Sequence, residues 1–188
     1  MKIVALVGAK VGWSTKVATN NIKETLENKY KGEIVDVIDL AEYDIEFADG
    51  RNFMDYRQDT AMVINKLMDA DVIIITTPVY QASIPGLLKN VFDLLPMDAF
   101  QDKTVGIMVV AGSEKHFLVA EQQLKPILSF MKAQTVQSYV FATQNDIVKG
   151  SIINQDVIFR IDKLVDEVMQ TAIAFKNIKE AQDAMYDF

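Results

Sequence analysis

Thr77-Pro78-Val79-Tyr80-Gln81-Ala82-Ser83-Ile84-Pro85-Gly86-Leu87-Leu88-Lys89-Asn90 follows directly on the run Asp71-Val72-Ile73-Ile74-Ile75-Thr76. That run is short, β-branched and apolar at successive positions, the pattern of a strand buried on both faces of a parallel sheet. Beyond it, Leu87, Leu88, Val91, Phe92 and Leu95 follow helical spacing. Pro78, Tyr80, Ser83 and Pro85 therefore stand at the carboxyl end of a buried parallel strand, where open α/β sheets place their ligands. The two prolines fix two φ angles and hold the loop in one shape. On spacing alone, the segment reads equally well as an ordinary strand-to-helix turn with structural prolines.

Outward from this point the chain alternates strand-like and helix-like segments with no evident linker, repeat or low-complexity tract. Strands are expected over 2–7, 33–39, 71–77, 104–111 and 135–141. Helices are expected over 15–29, 59–69, 86–95, 117–131 and 155–174, the fourth with a bend at Pro126 and the first closed by Gly32. Five strands alternating with helices give an α/β, three-layer, doubly wound parallel sheet with right-handed crossovers. The flavodoxin-like order 2-1-3-4-5 puts its switch point between strands one and three. The loop after strand one and the Pro78 loop then meet in space.

Composition narrows the function. The 188 residues suit one domain with a sizeable core, here expected over 1–175 with a tail over 176–188. A net charge of −7 argues against nucleic acid, whose backbone needs a basic patch. With no cysteine, disulfides, thiolate metal sites and thiol redox chemistry are excluded. His116 is the one histidine, so a metal would have carboxylates alone, and no metal site is expected. The apolar run 3–7 is too brief for a signal core, and no segment approaches a membrane span. A soluble cytoplasmic protein is expected.

Gly8-Ala9-Lys10-Val11-Gly12-Trp13-Ser14-Thr15-Lys16 joins the first strand to its helix. Its glycines allow close backbone approach, while Ser14 or Thr15 can cap the helix and offer a hydroxyl to an anion. A monophosphate there would meet unpaired backbone N–H groups and the positive end of the helix dipole. A simple capped turn fits the same residues. The loop is not a P-loop, because Gly12 is one position early and Ser14 takes the place of the lysine. A Rossmann Gly-x-Gly-x-x-Gly is absent, and strand three ends in Thr-Thr-Pro where a receiver domain would carry an aspartate.

Pro78 through Asp93 reads Pro-x-Tyr-x-x-Ser-x-Pro-Gly-x-Leu-Lys-Asn-x-x-Asp, which resembles the flavin-ring loop of the NADPH-dependent FMN reductase family. Ala111-Gly112-Ser113-x-x-His116-x-Leu118, Leu124-Lys125-Pro126-Ile127-Leu128 and Lys132-Ala133-Gln134 are similar to one branch. Members of that branch supply reduced flavin to alkanesulfonate monooxygenases. The resemblance spans about Lys2 to Phe175. Relatives carry Gly-Ser-x-Arg early in the first loop, where this chain has Ala9 and Val11 at the serine and arginine positions.

The resemblance implies FMN as ligand and NADPH or NADH as hydride donor. It puts the phosphate near Lys10, Ser14, Thr15 and Lys16. The ring would lie near Pro78, Val79, Tyr80, Gln81, Ser83, Gly112, Ser113 and His116. His116 has two readings: a contact to flavin or nicotinamide, or a cap on the helix that follows. Hydride transfer between stacked rings needs no protein acid or base, so no catalytic side chain is expected. Family members form dimers or tetramers. Leu88, Val91, Phe92, Leu94, Leu95 and Pro96 give the third helix apolar residues on more than one face, which suggests a homodimer at least. Two rivals stand beside an FMN reductase: a quinone, azo or chromate reductase that keeps its flavin, and a non-enzymatic electron carrier of flavodoxin type.

Overall fold

The computed structural model describes residues 1–186. Strands β1 (Lys2–Val7), β2 (Ile34–Asp39), β3 (Val72–Pro78) and β4 (Thr104–Ala111) form the body of a parallel sheet. β5 (Gln134–Thr135) and β6 (Val140–Thr143) both pair with the outer edge of β4, so the order is β2-β1-β3-β4 and then the β5/β6 pair. This is the doubly wound, flavodoxin-like arrangement expected, with β1 and β3 flanking the switch point. β3 and β4 are buried along their whole length, as central strands covered on both faces must be.

Helices α1 (Trp13–Lys29) and α5 (Gln155–Tyr186) cover one face of the sheet. Ile22 and Leu26 of α1 and Ile161, Leu164 and Val168 of α5 meet Ile3, Ile74 and Met108 there. On the other face lie α2 (Gln58–Asp69), α3 (Gly86–Asp93) and α4 (Lys125–Phe130), packed on Leu6, Ile73, Ile75 and Ile107. Gly106 in β4 lets α5 pack close against the strand. A Cβ there would lie 2.7 Å from Val168 Cγ2 and 3.5 Å from Leu164 Cδ1.

Four expectations are corrected. The fifth strand is broken: β4 residues pair thirty positions ahead at Thr104↔Gln134 but thirty-two ahead at Met108↔Val140. Two extra residues are thus accommodated between β5 and β6, in the manner of a bulge. The helix expected over 117–131 is a π turn (Ala120–Leu124) running into the short α4, preceded by a separate 3₁₀ turn (Glu114–His116). Pro126 has no N–H to donate, and the widened turn before it lets Lys125 N–H reach the Ala120 carbonyl instead.

α1 closes at Tyr30, two residues before Gly32, whose φ is +98°. Last, α5 does not stop near Ala174. It runs on to Tyr186 through much of the segment expected as a tail, of which 187 and 188 lie outside the described residues. Residues 176–185 are all exposed, and Lys179 Nζ ties the start of this stretch to Asp102 Oδ2 at 2.8 Å. No helix among the described residues is long and apolar enough to cross a membrane.

A β-hairpin that the sequence pattern did not suggest follows β6. β7 (Ile147–Val148) and β8 (Ser151–Ile152) pair antiparallel around Lys149 and Gly150, with φ of +49° and +86°. Both turn residues are left-handed, the geometry that suits a two-residue hairpin loop. Asp146 ties the hairpin down: its Oδ2 accepts from Thr143 N–H and Oγ1 at 2.7 and 2.8 Å, and its Oδ1 accepts from Asn154 Nδ2 at 2.7 Å. Burial pushes this carboxyl up, but those hydrogen bonds outweigh it and hold the group below the usual aspartate value.

Candidate active site

Three loops leave the carboxyl ends of β1, β3 and β4 side by side. The first is set by close packing. Gly8 N–H donates to the Thr76 carbonyl at 2.8 Å, and a Cβ on Gly8 would lie 2.9 Å from Leu88 Cδ2 of α3. Gly12 then turns the chain into α1 with φ +157°, and a Cβ there would stand 3.0 Å from Thr15 Oγ1. Gly12 itself is the cap residue. Neither Ser14 nor Thr15 caps α1, contrary to the sequence reading, because both already lie inside the first turn. Their hydroxyls and the first N–H groups of α1, which no helix can satisfy internally, remain on the site. Thr15 is only 1% exposed yet lines the cavity described below. No acidic residue sits in this first turn to repel an anion.

The second loop is a tight turn. Tyr80 N–H donates to the Ser83 carbonyl at 2.9 Å, and Ser83 N–H donates back to the Tyr80 carbonyl at 3.0 Å. Between them Gln81 and Ala82 both adopt positive φ, +48° and +61°. This is left-handed backbone at two residues that have a Cβ, a conformation that persists only where surrounding contacts enforce it. The Tyr80 hydroxyl donates to the Val11 carbonyl, joining this turn to the first loop. Ser83 Oγ donates to Gln123 Oε1 at 3.1 Å, anchoring its far end to the π turn.

The third loop follows β4 through Gly112 and Ser113. Ser113, through its Oγ accepting from Lys115 N–H at 3.3 Å, caps the 3₁₀ turn Glu114–His116. His116 itself does not cap the helical segment that follows, which starts after Val119 with no side-chain cap. The half-buried His116 lines a cavity instead.

Two cavities adjoin between these loops. One, of about 520 Å³, is lined by Val11 to Thr15, by Pro78, Val79 and Tyr80, and by Val110, Gly112, Gln144 and Ile147. The other, of about 460 Å³, is lined by Val79, Gln81, Ala82, Gly112, Ser113 and His116. Val79 and Gly112 belong to both and form the seam. Of the expected site residues, Ser14, Thr15, Pro78, Val79, Tyr80, Gln81, Gly112, Ser113 and His116 are brought together here, while Ser83 holds the turn from behind.

Lys10 and Lys16 are not brought to the cavities. Lys16 Nζ pairs with Asp39 Oδ2 at 2.8 Å and Glu42 Oε1 at 3.1 Å. The hydrogen bond to Asp39 first, and that to Glu42 next, raise its pKa above the usual lysine value. Lys10 Nζ donates to the Tyr43 carbonyl at 3.2 Å. Both ammonium groups are drawn toward the end of β2 and the segment that follows it. No cationic side chain lines the first cavity, so its anion-binding capacity rests on amides, hydroxyls and the α1 dipole.

Val11, Gly12, Trp13, Ala82, Val110, Gln144 and Ile147 also line the cavities and were not among the expected site residues. Val110 was hidden by its role as a strand residue. Gln144 and Ile147 arrive on the hairpin segment, where only the Lys149-Gly150 turn signals a reversal. A flat apolar wall (Pro78, Val79, Tyr80) beside a helix N-terminus, with open space over Gly112, fits a planar heterocycle carrying a phosphate-ended chain.

Comparisons with known proteins agree with this geometry. The family model described as NADPH-dependent FMN reductase matches residues 1–147. An NAD(P)H-dependent FAD/FMN reductase of Geobacillus thermodenitrificans is 34% identical over 178 residues, covering 94% of this chain and 96% of the relative. An NADH-dependent FMN reductase of Pseudomonas fluorescens is 39% identical over 98 residues, about half of each chain (52% and 52%). Among solved structures, an NADH:FMN oxidoreductase in its apo form superposes with a TM-score of 0.76 at 22% identity, covering 90% of this chain and 89% of the other. An oxidoreductase from Corynebacterium diphtheriae superposes with a TM-score of 0.67 at 27% identity, covering 90% of this chain and 98% of the other. The fold, the switch-point cavities and the match over most of its length together make this chain a member of the NADPH-dependent FMN reductase family, and an oxidoreductase.

Proposed function

We propose that the protein reduces FMN with NADH or NADPH and releases the reduced flavin to a partner. The observation that carries this reading is the junction of the first two loops. The α1 N-terminus and the Pro78–Tyr80 wall border one cavity and are joined by the Tyr80–Val11 hydrogen bond. The flavin supplies the hydride-accepting chemistry. The chain's own part is to bind and orient. Thr15, Ser14 and the α1 amides hold the phosphate, Pro78 and Val79 give the ring a flat support, and the seam at Gly112 leaves room for the nicotinamide. Alignment of two stacked rings is then the main catalytic contribution.

Loss of the loop arginine, at Val11, together with the diversion of Lys10 and Lys16, favours FMN as an exchanging substrate over a tightly held cofactor. Charge-assisted hydrogen bonds of the missing kind contribute about 1.5–3 kcal/mol. The purified protein is expected to be nearly colourless. It should oxidise NADPH only when FMN is added, with riboflavin a poorer substrate. A yellow protein that retains stoichiometric FMN through dialysis would point instead to a flavin-retaining quinone or azo reductase. Failure to oxidise NADPH or NADH with FMN present would leave an electron carrier. The proposed setting is the cytoplasm, and the proposed recipient of reduced flavin is a monooxygenase, as the alkanesulfonate-branch motifs suggest.

Assembly is proposed on different residues from those first considered. Leu88, Val91, Phe92, Leu94 and Leu95 are buried within the chain, so the two-sided apolarity of α3 is explained by its own packing. The exposed apolar surface lies beside it. Met97 (65% exposed) and Phe130 (68% exposed) flank a groove of about 530 Å³ with Pro96 and Ile127. We expect at least a homodimer covering this groove, with a mass by light scattering of two chains or more at micromolar concentration. A single-chain mass there would refute it.

A further inference from the structure

We propose that Trp13 is a stacking platform for the adenine ring of FAD, so that the protein accepts FAD with its adenylyl half laid over the indole. This rests on the reading above that the flavin phosphate sits at the α1 N-terminus. Trp13 is the chain's one tryptophan and the first residue of α1. It lines the phosphate end of the cavity together with Ser14 and Thr15, and it is 55% exposed.

An indole left half in water at a cavity rim has an unpaired aromatic surface, which bases cover with little regard to sequence. The hairpin backs it. Trp13 Cζ2 lies 4.0 Å from the position of a Cβ on Gly150, whose positive φ disfavours any larger residue. Ile147 of the same hairpin lines the cavity.

The cradle itself does not demand a terminal phosphate. A doubly charged phosphate monoester gains most from a guanidinium or ammonium partner, and none lines this cavity. Neutral donors serve the inner phosphate of a diester almost as well. Extending the ligand from that phosphate leads out of the mouth, past Trp13.

The sole tryptophan makes the test direct. ADP carries the adenine and pyrophosphate without a flavin, so any quenching of Trp13 emission is not energy transfer to an isoalloxazine ring. Titration of the full-length protein with ADP should quench that emission saturably. In steady-state assays, Trp13→Ala should lower the FAD-to-FMN ratio of kcat/KM about tenfold, while Trp13→Phe keeps most of it. Far-UV circular dichroism of both variants checks that the fold survives.

An unchanged ratio in Trp13→Ala would overturn the proposal. So would quenching by NADP⁺ but not by ADP, together with a raised KM for NADPH in place of FAD, since the platform would then serve the nicotinamide donor. These outcomes are distinct from failure of the FMN reading, in which the parent protein would show no FMN-dependent NADPH or NADH oxidation at all.

Discussion

A protein carrying Ser14→Ala together with Thr15→Val should bind FMN about a hundredfold more weakly than the parent in a flavin-fluorescence titration. Both hydroxyls lie in the first turn of α1 and line the cavity, and neither is used as a helix cap. Valine preserves the shape of the buried Thr15 site while removing the oxygen. Each hydrogen bond to a charged phosphate contributes about 1.5–3 kcal/mol, so losing two reaches that factor at the lower bound. The melting temperature should barely move. An FMN affinity within twofold of the parent would place the phosphate elsewhere.

The largest effect on stability should come from Gly106→Ala. The added methyl would meet Val168 Cγ2 at 2.7 Å, Leu164 Cδ1 at 3.5 Å and Ile74 Cγ1 at 3.6 Å. None of these side chains can move outward, because all three are fully buried between β3, β4 and α5. Overpacking of this kind costs about 2 kcal/mol, or roughly 4–8 °C in the melting temperature for a chain of this size. Combining Gly106→Ala with Val168→Ala should restore part of the loss, since the second change removes the atom that clashes. Thermal unfolding of the two single variants and the double variant measures the coupling. Simple addition of the two losses would mean that the strand and helix separate without contact strain.

Much of the architecture is legible because burial leaves a plain trace. β4 runs over the 104–111 expected, and β3 differs by one residue at each end, since strands covered on both faces are written as unbroken apolar runs. The edge is harder to read. Val136 and Val140 look like one strand, yet the polar pair Gln137-Ser138 between them is looped out, with Gln137 N–H bonded to Glu167 Oε1 at 3.1 Å. Nothing local distinguishes that from a continuous strand.

α5 fails in the opposite sense. Its apolar spacing ends near Ala172 because burial ends there. Helix-favouring Lys, Glu, Gln and Ala residues carry the backbone onward without any core contact. In the site, the Pro78 motif marked the apolar wall, but the fate of Lys10 and Lys16 turned on acceptors at the end of β2 and just beyond it. Asp39, Glu42 and the Tyr43 carbonyl are far enough away in sequence that only the fold brings them near.

The hydrogen bond from Tyr80 to the Val11 carbonyl couples the two loops that border the first cavity. Val11 precedes the helix start by two residues, and Tyr80 opens the turn that borders the same cavity. Whatever stiffens one loop therefore stiffens the other, and whatever loosens one is felt at both. If the proposed site binds flavin there, ordering one loop would lower the cost of ordering the other, so single substitutions in the two loops should couple, not add.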